Sequence, residues 1–96
     1  MKVIEFGVHD FMRNQDSVDV VGRCYKGPIA VGVHFTKAIA HGSDQVLLID
    51  LQVVRILAYE KELDELEEGV SARLLFEGRT GDLSGGWVLQ GVDDRC

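Results

Sequence analysis

The chain has 96 residues and a formal net charge of −6 at pH 7; 46% of its residues are hydrophobic and 27% are charged. That length leaves room for one domain, residues 1–96, because typical domains hold roughly 100–150 residues. No apolar run approaches the roughly 20 residues of a membrane-spanning helix, so we expect no membrane partner. The acid at Glu5 interrupts the apolar N-terminal stretch, which argues against a signal peptide and favours the cytoplasm.

The acidic balance bears on the kind of partner. RNA binding depends on neutralising phosphates with Lys and Arg, so a net charge of −6 disfavours RNA or tRNA. An acidic surface suits a basic protein better. We therefore expect a protein partner first, with RNA or tRNA as the second choice.

Alternation of apolar and polar residues with period two dominates the chain and predicts strands. Glycine-containing turns separate these strands, a pattern typical of an all-β barrel or sandwich. A last short strand is predicted near Trp87 to Gln90. The apolar faces of the five earlier strands are, in chain order, Ile4, Phe6 and Val8; Val18, Val20, Gly22 and Cys24; Ile29, Val31, Val33 and Phe35; Leu47, Ile49, Leu51 and Val53; Val70, Ala72, Leu74 and Phe76.

The segment from Tyr59 to Gly69 is ambiguous. It consists of helix formers, and Gly69 stands at a natural C-cap position, so propensity alone predicts a two-turn helix. The acidic run from Glu60 to Glu68 is interpreted as a solvated face, with a strip that binds a partner as the alternative.

No motif of a catalytic or cofactor site is present: there is no P-loop, no Gly-x-Ser-x-Gly and no Cys-x-x-Cys. The glycine-rich stretch from Gly78 to Gly86 lacks the Lys-Ser/Thr of a phosphate loop and is interpreted as an ordinary loop. A metal site from His34, His41 and Asp44 is a remote alternative. We therefore expect no enzymatic activity, no cofactor and no metal.

The two cysteines, Cys24 and Cys96, lie far apart in the sequence without metal-type spacing. We interpret them as reduced thiols, one in a strand and one on the terminal tail.

Glycine-anchored motifs run through most of the chain. Gly22-Arg23 is followed by Gly27, a second motif begins at Gly69, and a third reads Gly86-Trp87-Val88-Leu89. In this order and spacing they resemble the β-barrel second domain of translational GTPases such as elongation factor Tu, standing here alone. The resemblance covers about residues 5–92 and leaves 93–96 as a tail.

The resemblance implies a closed six- to seven-stranded antiparallel barrel with Greek-key connections. It also implies that the strand continues to about Lys61 and is followed by a tight turn or a single helical turn. We follow it against the helix prediction, since propensity is a weak guide that tertiary context overrides.

In the aminoacyl-tRNA carriers of that family, a pocket of the barrel receives the aminoacyl end of the tRNA. The resemblance places the phenylalanine of this pocket at Phe11 and its other positions at Val8, His9, Val21 and Ser71. The family's polar residues have mostly changed at those positions. A pocket built on polar contacts loses affinity when its donors and acceptors become valines, so the resemblance implies the fold and not binding of the tRNA end.

Six residues are our candidates for contact with a partner. Aromatic residues are enriched at interface hot spots; for Trp87, a core position at the end of the barrel is an equal alternative. The six are Phe11, Arg23, Trp87, Glu60, Glu62 and Glu65.

The sequence favours a non-enzymatic binding module and leaves three functions open. The first is a module that contacts the translation machinery. The second is an acidic immunity or antitoxin-type protein that neutralises a basic effector. The third is a small-molecule barrel, which would need a deep apolar cavity beneath Phe11 and Phe35. A basic patch on one face would support the first function; its members would be Arg13, Arg23, Lys26, Lys37 and Arg79.

Overall fold

The computed structural model describes residues 2–14, 16–40, 45–79 and 86–93. Within these residues the secondary structure consists of β-strands, without a helix. The strands are β1 (Lys2–Arg13), β2 (Ser17–Lys26), β3 (Ile29–Ala30), β4 (His34–Ala40), β5 (Val46–Ala58), β6 (Lys61–Leu63), β7 (Glu65–Leu66), β8 (Ser71–Arg79) and β9 (Trp87–Asp93).

Six of these strands close into an antiparallel barrel. Their order is β4-β9-β1-β2-β8-β5, and the pairing of β4 with β5 joins the two ends. Strand β6 adds to the end of β5, while β3 and β7 form a separate two-stranded sheet. The connections from β2 to β4 and from β8 to β9 join strands that are not neighbours, which gives Greek-key connectivity. The predicted closed all-β barrel is confirmed, and its closure removes most free strand edges.

The inward-facing side chains fill the barrel as one core, because alternate residues of each strand point to the same face. Phe35 and Phe76 pack edge to face at its centre, with ring centroids 5.6 Å apart and planes at 89°. The largest fully buried side chains are Phe6, Phe35, Phe76, Ile4, Ile29, Leu51, Ile56, Leu66, Leu74, Leu89, Val20 and Val53.

The prediction of one continuous third strand is wrong. The prediction ran it from residue 29 to residue 35 with Val31 on the inner face. Instead β3 ends at Ala30, the chain turns at Val31 and Gly32, and β4 begins at His34. Val31 is 42% exposed because this turn interrupts the alternation of the two strands.

The segment after β5 forms a turn and a strand, as the resemblance implies. The helix that propensity alone predicts is wrong. Tyr59 and Glu60 form a turn with φ of 53° and 61°, the backbone twist that suits a two-residue hairpin. Strand β6 then runs back along β5, with Leu63 opposite Ile56. Burial of Leu66 and the cross-strand pairing outweigh the helix preference of the segment.

Strands β1 and β2 approach each other closely where β1 bulges. The register shifts between Val8 and Asp10, so His9 is the bulge residue. A Cβ atom at Gly22 would lie 1.8 Å from the carbonyl oxygen of Gly7. Glycine is therefore required at this point of β2, and the close approach shapes the outer wall of β1 and β2.

Candidate functional site: the outer wall of strands β1, β2 and β8

A groove of about 340 Å³ lies on the outer wall of β1, β2 and β8. Strand alternation turns Val21, Arg23 and Tyr25 outward, while Val20 and Cys24 are buried. The groove is lined by Gly7, Val8, His9, Val21, Gly22, Arg23, Tyr25 and Ser71. We call it the Arg23 groove.

Arg23 is the charged centre of this groove. It stands opposite Gly7 of β1 and opposite Ser71 of β8, so small residues flank it on both sides. Its side chain forms no ion pair or hydrogen bond with another residue that the structure describes. The guanidinium, with five N–H donors, is thus accessible from solvent.

Tyr25 forms an aromatic wall of the groove. A Cβ atom at Gly7 would lie 2.4 Å from Cζ of Tyr25, so the tyrosine ring occupies the space that any other residue at position 7 would need. Tyr25 remains 51% exposed and Val21 43% exposed. The groove therefore combines apolar surface with a cation and two hydroxyl groups, those of Tyr25 and Ser71.

The charges next to the groove are paired internally. Arg73 donates two hydrogen bonds to Asp19, and the Nε–Oδ1 distance is 2.6 Å. These hydrogen bonds and the charge of Asp19 raise the pKa of Arg73 above its ordinary value. Lys26 lies 3.6 Å from a carboxylate oxygen of Glu5. Of the three cations Arg23, Arg73 and Lys26, Arg23 is thus the one without a described counter-ion.

The structure brings several of the positions implied by the resemblance into one place. Val8, His9, Val21 and Ser71 all line the Arg23 groove. Phe11 lines a smaller adjacent hollow of about 100 Å³, which shares Val21 with the groove. Phe11 and Arg23, both candidates from the sequence, thus line adjacent hollows, but Phe11 is half-buried and packs against the core.

The other four candidates lie elsewhere. Trp87 begins β9 opposite Ala40, is half-buried, and packs against the core. Glu60 forms the exposed β5–β6 turn, and Glu62 in β6 lies 2.7 Å from Nε of Arg55. Glu65, in β7, lines a hollow of about 390 Å³ at the end of the barrel where β1 begins. The candidates thus do not form a single surface.

Sequence reasoning missed Tyr25 and Gly7 as parts of the site. The available signal was the period of β2, which places Tyr25 on the outer face next to Arg23. That the ring would lie across Gly7 depends on the register between β1 and β2, which the sequence does not reveal.

Two members of the basic patch that would support a translation role, Lys26 and Lys37, are not brought together. Lys26 and Lys37 lie in one register row, but Glu5 and Gln90 stand between them, so the two cations are about three strand spacings, or roughly 14 Å, apart. The side chain of Arg79 lies outside the described part of the chain.

In the described ranges 2–14, 16–40, 45–79 and 86–93, no group of three or more His, Cys, Asp or Glu side chains is placed to hold a metal ion. His41 and Asp44, members of the remote metal alternative, lie outside these ranges, as do Cys96 and most of the loop from Gly78 to Gly86. None of the described residues belongs to a helix with the length and apolar character that membrane crossing requires.

Comparison with known proteins adds no relative to these observations. No protein-family model matches the chain, and no curated protein matches it.

Proposed function

We propose that the protein is a non-enzymatic binding module that recognises a macromolecular partner, a protein in preference to RNA, through the Arg23 groove. The observation that carries this proposal is the combination of an accessible arginine with a half-exposed tyrosine on one rigid wall. Tyr and Arg are the residues most enriched, with Trp, at the energetic centres of protein interfaces.

The charge distribution supports a protein partner over RNA. Binding of nucleic acid needs several cations that face successive phosphates. On this wall Arg73 and Lys26 are occupied by Asp19 and Glu5, and the whole chain carries a net charge of −6. A protein surface requires only a local match to the groove.

The resemblance to the barrels of translational GTPases supports a partner from the translation machinery and, with it, a cytoplasmic location. It rests on the glycine-anchored motifs, and Gly22 has a clear physical role at the β1–β2 approach. The groove differs from the family's pocket in its polar groups, so we propose a shared scaffold with a different ligand.

Affinity capture from a lysate of the protein's own cells tests this proposal. The wild type is compared with the double variant Arg23→Gln/Tyr25→Ser and with Lys37→Gln, which removes an exposed cation on β4. A protein that binds the wild type and the Lys37 variant but not the groove variant would support the module. Nuclease-sensitive recovery of ribosomal subunits or tRNA would mean that RNA takes part in the interaction. A partner that binds the wild type and both variants equally well would contradict binding through the Arg23 groove.

A second candidate function has its own supporting observation. Glu65, Glu67 and Glu68 line one hollow with Lys2, Gly27 and Pro28, and Glu60 and Asp64 are exposed nearby in sequence. We call residues 60–68 the acidic segment. It would suit an immunity or antitoxin-type protein that neutralises a basic effector.

The same capture experiment separates the two functions when it includes Glu60→Gln/Glu67→Gln. Loss of a basic partner in that variant, with retention in the Arg23→Gln/Tyr25→Ser variant, would favour the second function. The reverse pattern would favour the first.

The small-molecule alternative receives less support from the structure. Phe35 is fully buried against Phe76, and the hollow beside Phe11 measures about 100 Å³. Ligand pockets typically measure about 300–1,000 Å³ and enclose most of the ligand. The Arg23 groove reaches the lower end of that range, but it lies on the outer wall and is not a deep apolar cavity beneath Phe11 and Phe35.

A further inference from the structure

The groove contains a cation for which the described part of the chain provides no anion. Arg23 is exposed, and Gly7 and Ser71 flank it on the two neighbouring strands. Neither flanking residue can neutralise a guanidinium, and neither is long enough to cover it. A planar guanidinium in this position presents a pair of parallel N–H donors, the arrangement that binds a carboxylate through two hydrogen bonds.

The acids closest in the register are already engaged. Asp19 accepts both hydrogen bonds of Arg73. Glu5 accepts a hydrogen bond from Gln90 at 3.1 Å and pairs with Lys26. Asp10 accepts a hydrogen bond from the backbone N–H of Phe11 at 2.8 Å. None of these described acids pairs with Arg23, so its guanidinium is open to an anion from another molecule.

The residues that line the groove indicate which kind of side chain would lie next to that anion. Val21 and Tyr25 lie on either side of Arg23 along β2 and keep 43% and 51% of their surface exposed. Apolar surface next to a cation favours an apolar residue next to an acidic one, since both contacts remove surface from water. A nucleic-acid backbone would instead place further phosphates along the walls, where Asp19 and Glu5 lie.

We propose that the Arg23 groove binds an extended peptide segment of a protein partner that carries an Asp or Glu side chain next to an aliphatic residue. The carboxylate pairs with the guanidinium of Arg23, and the aliphatic side chain packs on Val21 and Tyr25. This inference rests on the proposed function as a protein-binding module and adds the chemistry of the segment that is recognised.

The test uses the full chain, labelled with ¹⁵N, and two peptides with blocked ends, acetyl-Leu-Asp-Leu-amide and acetyl-Leu-Asn-Leu-amide. The Asp peptide is expected to shift the backbone amide signals of Val21, Arg23 and Ser71 in a saturable way. Its Kd should be about tenfold lower than that of the Asn peptide, because a carboxylate accepts two charge-assisted hydrogen bonds from the guanidinium and a neutral amide oxygen does not reproduce this paired arrangement.

Variants assign the effect to Arg23. Arg23→Gln should reduce the affinity for the Asp peptide to that for the Asn peptide, and Arg23→Lys should give an intermediate value because it keeps the charge and loses the paired donors. Lys37→Gln serves as the control and should leave the Kd unchanged. Equal affinities for the two peptides, or the same Kd in wild type and Arg23→Gln, would overturn the inference.

An oligonucleotide and the lysate capture separate the remaining outcomes. If an oligouridylate shifts the same amides at lower concentration than the Asp peptide, the groove binds phosphate and the carboxylate inference is wrong. If neither peptide binds while the groove variant still loses its partner in the lysate, the inference fails and the binding module stands. If the groove variant keeps every partner, the proposed function fails independently of the peptides.

Discussion

The Arg23 groove and the acidic segment differ in the structure that holds their charges. The groove lies on β1, β2 and β8, which have 12, 10 and 9 residues and pair with each other in the barrel. The acidic segment lies on β6 and β7, with 3 and 2 residues, and on the turns around them. One cation on a fixed wall offers a specific contact, whereas carboxylates on short strands offer a diffuse field.

This difference teaches that the net charge of −6 does not identify the binding surface. Coulomb attraction from an exposed acidic segment is screened over about 8–10 Å in physiological salt and steers many basic molecules alike. The proposed binding at the groove would select by geometry, since Arg23, Tyr25 and Val21 have fixed positions in one strand. A dedicated partner is therefore expected to depend on the groove more than on the acids.

The two regions are expected to differ most in how strongly a larger side chain in place of glycine destabilises the fold. Gly22→Val beneath the groove should destabilise the fold by about 3 kcal/mol or more, because its Cβ atom would meet the Gly7 carbonyl oxygen at 1.8 Å. Gly69→Ala in the acidic region meets no atom within 4 Å and has φ of 87°, so it should cost only about 1–2 kcal/mol. Urea unfolding followed by circular dichroism measures both.

An unchanged melting temperature for Gly22→Val would mean that β1 and β2 do not approach as described. Equal costs for the two variants would remove the contrast between a rigid wall and a tolerant turn region. Gly22→Ala, which adds the Cβ atom alone, keeps the test informative if the valine variant does not fold.

Cys24 reports on the packing under the acidic segment. Burial, and secondarily the charge of Glu68, raises the pKa of its thiol to about 11 from an ordinary value of 9.0. At pH 8 the native thiol should therefore react with iodoacetamide about 100-fold more slowly than the same thiol in urea, since reactivity follows the thiolate fraction. The Cys96→Ser background leaves this thiol alone, and Glu68→Gln should speed the native reaction.

The same shift has a consequence for stability. Because the pKa of Cys24 is higher in the folded protein, its contribution is fully present below about pH 9 and is lost as the pH rises towards 11. A native alkylation rate that levels off near pH 9 would contradict the packing of Cys24 under the segment.

Substitutions of Trp87 test whether this half-buried aromatic residue contributes to the core or to the proposed binding surface. Trp87→Ala should cost about 1–3 kcal/mol, below the 3–5 kcal/mol of a fully buried tryptophan, because the residue is half-buried against the core. Trp87→Phe should recover most of the loss. Urea unfolding measures the change in the free energy of unfolding. If Trp87→Ala does not lower it, Trp87 is an exposed anchor. If the stably folded Trp87→Phe variant no longer captures the partner of the groove, the groove extends to β9.

The barrel could be predicted because its core repeats a simple physical rule. In the first strand Ile4, Phe6 and Val8 occupy alternate positions, and all three are buried. The rule failed at Val31 because one turn residue shifts the alternation, and the helix preference of residues 59–68 misled because pairing with β5 is not visible locally.

The candidate site was less accessible to prediction. Arg23 was a candidate from the sequence, whereas Tyr25, which lines the same groove, was not. Its role depends on which residue of β1 lies beside it, and that is set by the register shift between Glu5 and Phe6, which leaves Tyr25 without a partner in β1. Contacts between strands that are distant in sequence carry no local signal, so the groove required the structure.

The smallest expected effect lies within the acidic segment itself. Glu62 already has an internal partner in Arg55, at 2.7 Å, and both side chains are more than half exposed. Glu62→Gln should cost about 0.5 kcal/mol at low salt and nothing measurable at high salt, because solvent and ions screen an exposed pair. Glu67→Gln, without a described salt-bridge partner, is the matched control and should leave stability unchanged.

In the capture experiment Glu67→Gln should have the larger effect of the two variants, since Glu67 is available to a basic molecule while Glu62 is held by Arg55. A basic partner that depends on Glu62 more than on Glu67 would show that the ion pair opens on binding, and the acidic segment would then be a selective surface like the groove.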